Sequence, residues 1–255
     1  MTTSVKVVKV GGSALSDESW LSGFAQAAAN AATPLVIVHG GGPDITALSA
    51  QLGVEVRWHD GRRVTPPEAL DVASMVLNGR INKRLVAALL AAGVDAIGLS
   101  GMDGGVLRAT LLDDGALGRV GRIVSVRAEL LQALLERGHT VVLSPISLGL
   151  DGAALNVNAD DAAAAVAAAL DASELVFLTD VPGVRDGDVV RTLLDAGQAV
   201  ALVQTGVAYG GMGIKLSAGV KALDCGVPAV RIGDARVLFD SGAGTVLRPI
   251  PLGVA

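Results

Sequence analysis

Apolar positions along the chain fall in short runs that end on glycine or on a polar loop. Residues 5–10 (VKVVKV) run into Gly11-Gly12, residues 35–39 (LVIVH) into Gly40-Gly41-Gly42-Pro43, and residues 96–99 (AIGL) into Ser100-Gly101. Between them, apolar positions recur at helical spacing over 18–32, 44–52, 69–77 and 81–92. The Gly- and Asp-rich stretch 106–126 predicts a hairpin on a sheet edge, followed by a helix over 130–137 and a strand over 140–143. Further on, LNVNADD (155–161) leads into an alanine-rich helix over 162–170. A strand over 174–178 then meets the loop TDVPGV, GGMGIK (210–215) opens a helix through Leu223, and 229–232 forms a late strand. Strands alternating with helices predict an α/β fold, a three-layer α/β/α sandwich around a mainly parallel sheet. Ligands of such sheets gather at the carboxyl ends of the strands, where these glycine loops fall. A second strand–loop–helix set starts after Ala172, which divides the chain into lobes at 1–172 and 173–255.

Composition narrows the class. The chain has 255 residues, 51% of them hydrophobic but only 2% aromatic, so its core is built from Ala, Val and Leu. A net charge of −5 without a basic block argues against nucleic-acid or anionic-membrane partners. Cys225 is the only cysteine, which excludes an internal disulfide. No apolar run approaches the ~20 residues of a membrane span, and the first residues lack a signal-peptide layout. A cytoplasmic location is the expectation.

The candidate chemistry is anionic-ligand binding. Glycine lets backbone N–H groups approach an anion closely, and a helix start adds a favourable dipole. One diglycine reads as a tight turn; two loops that each follow an apolar strand read as an anion site. Asp44, after the second loop, is a candidate helix cap. Lys9 interrupts a valine run and Lys215 lies just inside a helix. A lysine aimed at a phosphate is a point charge that needs no bidentate geometry. In NVNADD, Asn156, Asn158 and Asp160 alternate, as on one face of a strand, or form a turn with a helix cap. Both arrangements are compatible if Asp161 opens the helix while Asp160 faces the ligands. The chain lacks GxxxxGK[ST], a GxGxxG between first strand and helix, metal-ligand spacing and GxSxG. His39 fits a packed or loop-stabilising role as well as a catalytic one.

Taken in order, VVKVGGSAL, VIVHGGGPDI, GRRVT, LNGRINKRLV, IGLSGMDG, GRVGRIVSV, LNVNADDAAAAVA, FLTDVPGV and GGMGIKLSAG resemble the amino-acid kinase family over nearly the whole chain. Within it, they are most similar to the branch that phosphorylates the γ-carboxylate of N-acetyl-L-glutamate in arginine biosynthesis. The resemblance implies ATP as phosphoryl donor, with Mg²⁺ carried by ATP and no metal held by the protein itself. It implies that Lys9 and Lys215 contact the transferring group and that Asp160 orients them. It places Gly11 and Gly12, with Gly41 and Gly42, in loops that hold the phosphoryl group and the attacking carboxylate. Arg63 matches a residue binding the substrate α-carboxylate, and Asn156 a substrate-binding asparagine. Thr179, Asp180, Gly210, Gly211 and Met212 match the nucleotide lobe. Arg62, Pro66-Pro67 and Tyr209 depart from the family pattern. The first strand begins near Val5, leaving no room for the extra N-terminal helix of ring-shaped hexamers under arginine control, so the expected assembly is a homodimer. Two other readings stand beside this one. A kinase of carrier-linked aminoadipyl or glutamyl groups would use the local basic set Arg57, Arg62, Arg63, Arg80, Lys83 and Arg84. A non-catalytic nucleotide-binding regulator would be expected to lack Lys9, Lys215 or Asp160.

Overall fold

The computed structural model describes residues 4–11, 14–59 and 61–250. The elements, in chain order, are β1 (Lys6–Val10), α1 (Glu18–Ala29), β2 (Leu35–His39), α2 (Gly42–Leu52), β3 (Trp58–His59), β4 (Arg62–Arg63), α3 (Pro67–Ser74), α4 (Asn82–Ala91), β5 (Ala96–Gly101), β6 (Leu107–Leu111), β7 (Val120–Val126), α5 (Ala128–Glu136), β8 (Thr140–Gly149) and β9 (Ala154–Val157). They continue as α6 (Ala159–Ala169), β10 (Glu174–Leu178), β11 (Arg185–Asp186), β12 (Val189–Val190), β13 (Leu193–Asp195), α7 (Ala196–Gln204), α8 (Gly210–Asp224), β14 (Val230–Gly233) and β15 (Thr245–Arg248).

Among the described residues, eleven strands form one sheet in the order β13-β15-β14-β10-β1-β2-β8-β6-β7-β9, with β5 also paired to β8. β1 lies in the middle, parallel to β10 on one side and to β2 on the other, and the sheet is continuous across Ala172. The strands around β1 are buried on both faces, which explains their near-continuous apolar sequences. Their alternation feeds two cores. Val7, Val36, Val38, Leu175 and Phe177 pack with the alanines of α6 and with Leu216, Ala218 and Ala222 of α8. Val8, Val10, Ile37, Val176 and Leu178 pack with Leu21 and Phe24 of α1, Ile45 of α2 and Leu85 of α4. The result is the expected three layers, with small side chains allowing close helix approach.

Three local readings change. The helices read over 69–77 and 81–92 are one run, because a π-helical segment, Met75–Ile81, joins α3 to α4. β8 does not stop at Leu143 but continues through Pro145 to Gly149; its first half pairs with β2 and β5, its second with β6 and β9. Asp44 does not cap α2: Gly41 holds the cap position and Asp44 lies in the first turn. The 106–126 hairpin is present as β6 and β7, but it does not lie on an edge: β8 pairs with β6 and β9 with β7. No helix among the described residues is long and apolar enough to cross a membrane.

Candidate active site

β1 carries Lys9 to the carboxyl end of the sheet, where strand parity points it toward the α6–α8 layer. Its side chain is 7% exposed and meets Asp160 of α6, with Nζ–Oδ1 at 3.1 Å. Lys215, on the second turn of α8, reaches the same oxygen at 3.4 Å. One buried carboxylate oxygen thus joins two ammonium groups, one carried by a strand and one by a helix. Burial pulls the Lys9 ammonium down from 10.5 to about 8; Asp160 opposes that fall and Lys215 adds to it.

Asp160 is placed by a helix cap. Asn158 accepts hydrogen bonds from the N–H groups of Asp160 (2.8 Å) and Asp161 (3.2 Å), which starts α6 and leaves both carboxylates free to turn outward. The cap is therefore Asn158 rather than Asp161. Asn156, two residues earlier on β9, donates to Thr65 Oγ1 at 3.1 Å, and that hydroxyl donates to the Arg63 carbonyl at 2.7 Å. Thr65 is fully buried and links the two sequence candidates Arg63 and Asn156. Its signal was the last letter of GRRVT.

The second glycine loop opens α2. A Cβ on Gly41 would collide with Ile81 Cδ1 and come within 2.8 Å of Leu77 Cδ2, so glycine here lets the π segment close over the loop. His39, fully buried, braces the loop from behind. The Asn82 amide nitrogen donates to the carbonyls of Val142 (3.0 Å) and Leu99 (3.2 Å), which fixes its orientation, and it lies 3.3 Å from His39 Nε2. The Gly40 carbonyl, 3.2 Å from Nδ1, can only accept, so Nδ1 carries the proton and Nε2 is the bare nitrogen that faces the Asn82 amide. Burial holds the imidazole neutral, its pKa down to about 4. His39 is a structural brace of the loop.

Two cavities meet at Lys9. The smaller, about 190 Å³, is walled by Gly40, Gly41 and Gly42 at the α2 start, by Arg62, Arg63 and Trp58 of the β3–β4 hairpin, and by Asn156 and Asp160. The Arg63 guanidinium lies 4.6 Å from the Trp58 ring centre and donates to Thr46 Oγ1 (2.7 Å) and the Gly42 carbonyl (3.1 Å). The larger cavity, about 570 Å³, is walled by Gly11, Thr179, Asp180, Tyr209, Gly211, Met212 and Lys215. Gly210 opens α8 at φ 55° and stands outside its wall. Gly12 lies outside the described residues.

The arrangement has the form of an α/β protein that brings two anions together: a smaller half-polar cavity and a larger, mainly apolar one share a lysine–carboxylate–lysine clamp at the carboxyl ends of parallel strands. The comparisons give the class its name. The model of the amino acid kinase family matches residues 4–234, and the chain belongs to that family. It is 47% identical over 249 residues to the acetylglutamate kinase of Roseiflexus sp. (strain RS-1), covering 96% of this chain and 94% of that one. Among solved structures it is similar to smu.665 from Streptococcus mutans UA159, with a TM-score of 0.85 and 32% identity over 96% of this chain and 98% of the other. The N-acetylglutamate synthase of Neisseria gonorrhoeae, solved with coenzyme A and N-acetyl-glutamate, superposes with a TM-score of 0.84 at 26% identity, covering 96% of this chain and 59% of that one.

Proposed function

We infer that this protein is a kinase that phosphorylates the γ-carboxylate of N-acetyl-L-glutamate with ATP, a step of arginine biosynthesis. The observation that carries the mechanism is that Lys9 faces both cavities while sharing the Asp160 carboxylate with Lys215. The smaller cavity takes the acyl amino acid. Arg63 and Asn156 hold its polar end, and the start of α2 at Gly41-Gly42 faces the γ-carboxylate with N–H donors. The larger cavity takes the nucleotide, between the Thr179-Asp180 loop and the Gly210–Met212 segment. This assignment gives the division at Ala172 its meaning as an acyl-amino-acid lobe and a nucleotide lobe. Mg²⁺ enters as part of the nucleotide substrate, since Asp160 is committed to the two lysines.

A γ-carboxylate is already a nucleophile at neutral pH, so no general base is required. One carboxylate oxygen forms a bond to the γ-phosphorus as the bond from that phosphorus to the ADP oxygen breaks. The products are an acyl phosphate and ADP, and no proton moves. The obstacle is the repulsion of two anions, which positioning and fixed positive charge overcome. Lys9 and Lys215 supply that charge on either side of the transferring group, in a site where burial strengthens it. Bound anions favour the ammonium form of Lys9 and counter the effect of burial. A homodimer is part of the same proposal, read out by light scattering.

The test is ADP release, coupled to NADH oxidation, with free N-acetyl-L-glutamate against L-glutamate, aminoadipate and a carrier-protein conjugate. Turnover with N-acetyl-L-glutamate is expected. Turnover confined to the conjugate would overturn the substrate assignment, and ATP binding without turnover on any acceptor would overturn the enzyme assignment.

A further inference from the structure

The first turn of α6 carries a second carboxylate that serves a different partner from Asp160. Asp161 Oδ2 lies 3.0 Å from Arg62 Nη2, and its Oδ1 lies 3.4 Å from Lys221 Nζ of α8. The same Asn158 cap sets the two aspartates, so the start of α6 fixes the lysine clamp and this outer ion pair together. Arg62 belongs to the β3–β4 hairpin, whose Trp58 and Arg63 wall the smaller cavity. Among the described residues that hairpin has two strand pairs, Trp58 with Arg63 and His59 with Arg62, and one further bond from the Val64 N–H to the Arg57 carbonyl at 3.0 Å. Such a short ribbon is not stable unaided and takes its position from its attachments. On the cavity side, Arg63 bonds to the start of α2. On the α6 side, the attachment is Arg62 to Asp161, whose side chains are 28% and 22% exposed, within the protein's partly dehydrated rim.

We propose that Asp161 is a positioning residue for the smaller cavity: through Arg62 it latches the hairpin that presents Trp58 and Arg63, while Lys221 orients its carboxylate from the α8 side. The proposal rests on that cavity being the acyl-amino-acid site. A latch of this kind acts on occupancy of one cavity, not on the transfer step. Its loss frees the hairpin, and the acyl amino acid then has to bind and order it.

The experiment compares wild type, Arg62→Leu, Asp161→Asn and the double variant. Steady-state kinetics vary each substrate in turn, and hydrogen exchange is followed in peptides spanning 57–64 without any substrate. A partly exposed ion pair has a modest effect, so each single variant should raise the KM for N-acetyl-L-glutamate about three- to fivefold, with kcat and the KM for ATP within about twofold of wild type. The double variant should be no worse than either single one, since both break one contact. Added salt should raise the wild-type KM by a larger factor than the variants', which respond only through screening of the anionic substrate itself. Hairpin amides should exchange faster in both single variants. Exchange does not depend on what the cavity binds, so an inactive wild type would defeat the substrate assignment and leave the latch to be judged on exchange alone. Unchanged hairpin exchange would overturn the latch. A raised KM in Arg62→Leu with a silent Asp161→Asn would overturn it too, making Arg62 a direct contact of the substrate.

Discussion

Asp160→Asn is the most informative change in the clamp, because it removes one charge and nearly no volume. In the native protein Asp160 Oδ1 stands 3.1 Å from Lys9 and 3.4 Å from Lys215. At an effective dielectric near 20, each contact is an attraction of about 5 kcal/mol before desolvation is counted. Breaking a buried pair of this sort typically costs about 3–5 kcal/mol, since the remaining charges stay behind uncompensated. Two like charges then face each other with no countercharge between them, and the group that yields is the more deeply buried Lys9. Its pKa, already drawn to about 8 by burial, moves further down once the opposing influence of Asp160 is gone. Near neutrality the free variant therefore holds Lys9 almost wholly neutral, which removes a preorganised cation from the path to the transferring phosphoryl group and should cost about a hundred- to a thousandfold in kcat/KM. The assay is the pH dependence of kcat/KM, which reports the free enzyme. Its alkaline limb, set in wild type by Lys9 near pH 8, should move to lower pH in the variant, and the rate deficit should narrow on acidification toward pH 6. Chemical denaturation gives an independent sign. The uncompensated Lys9 charge is present at low pH and lost as pH rises through the lowered pKa, so the variant's stability deficit should shrink with rising pH. Activity within about threefold of wild type, with an unmoved alkaline limb, would refute the clamp as the source of transition-state charge.

Other consequences follow from the same geometry. Arg63→Lys loses the planar fork that bonds Thr46 and the Gly42 carbonyl, so it should mainly raise the KM for the acyl amino acid; a change confined to the ATP KM would contradict its place in the smaller cavity. Gly41→Ala drives a methyl group into Ile81 and Leu77 and should lower stability by about 1–3 kcal/mol in urea unfolding, with a weakened acceptor site. His39 is held neutral, with its pKa down at about 4 against 6.5 when unfolded; its share of stability is present above pH 6.5 and lost as pH falls through 4, about 3 kcal/mol in all. His39→Gln should flatten that acid limb in calorimetry, whereas an unchanged acid limb would mean the imidazole is not buried neutral.

Much of this site is legible in the sequence because its parts are local: a strand, a glycine loop and a helix start follow one another within a few residues. Lys9, Gly41 and Asp160 each stand at such a junction, and the topology alone brings those junctions to one end of the sheet. What escapes a linear reading joins distant positions. Arg62 and Asp161 are 99 positions apart, and Asn82 reaches His39 across 43. Thr65 stands at the end of GRRVT, but its role shows only once Asn156 is placed beside it. The π segment is invisible for another reason, since one wider turn leaves the apolar spacing on either side helical. The apolar run 140–143 shows only the first half of β8; in the fold the strand continues past Pro145 and changes partners there, where the missing N–H is tolerated. In the sequence Asn158 fits a strand or a cap equally, and only the folded chain shows that it caps while Asn156 stays on the strand.

The central claim is that the two cavities bring a free carboxylate and a nucleotide together for direct phosphoryl transfer. Trapping the product with hydroxylamine, in reactions with ATP, Mg²⁺ and N-acetyl-L-glutamate, tests it most directly. The account predicts one acyl hydroxamate for every ADP released, with none formed when Asp160→Asn replaces the wild-type protein on the same timescale. ADP released without hydroxamate would mean that water, not the γ-carboxylate, receives the phosphoryl group, and would contradict the account.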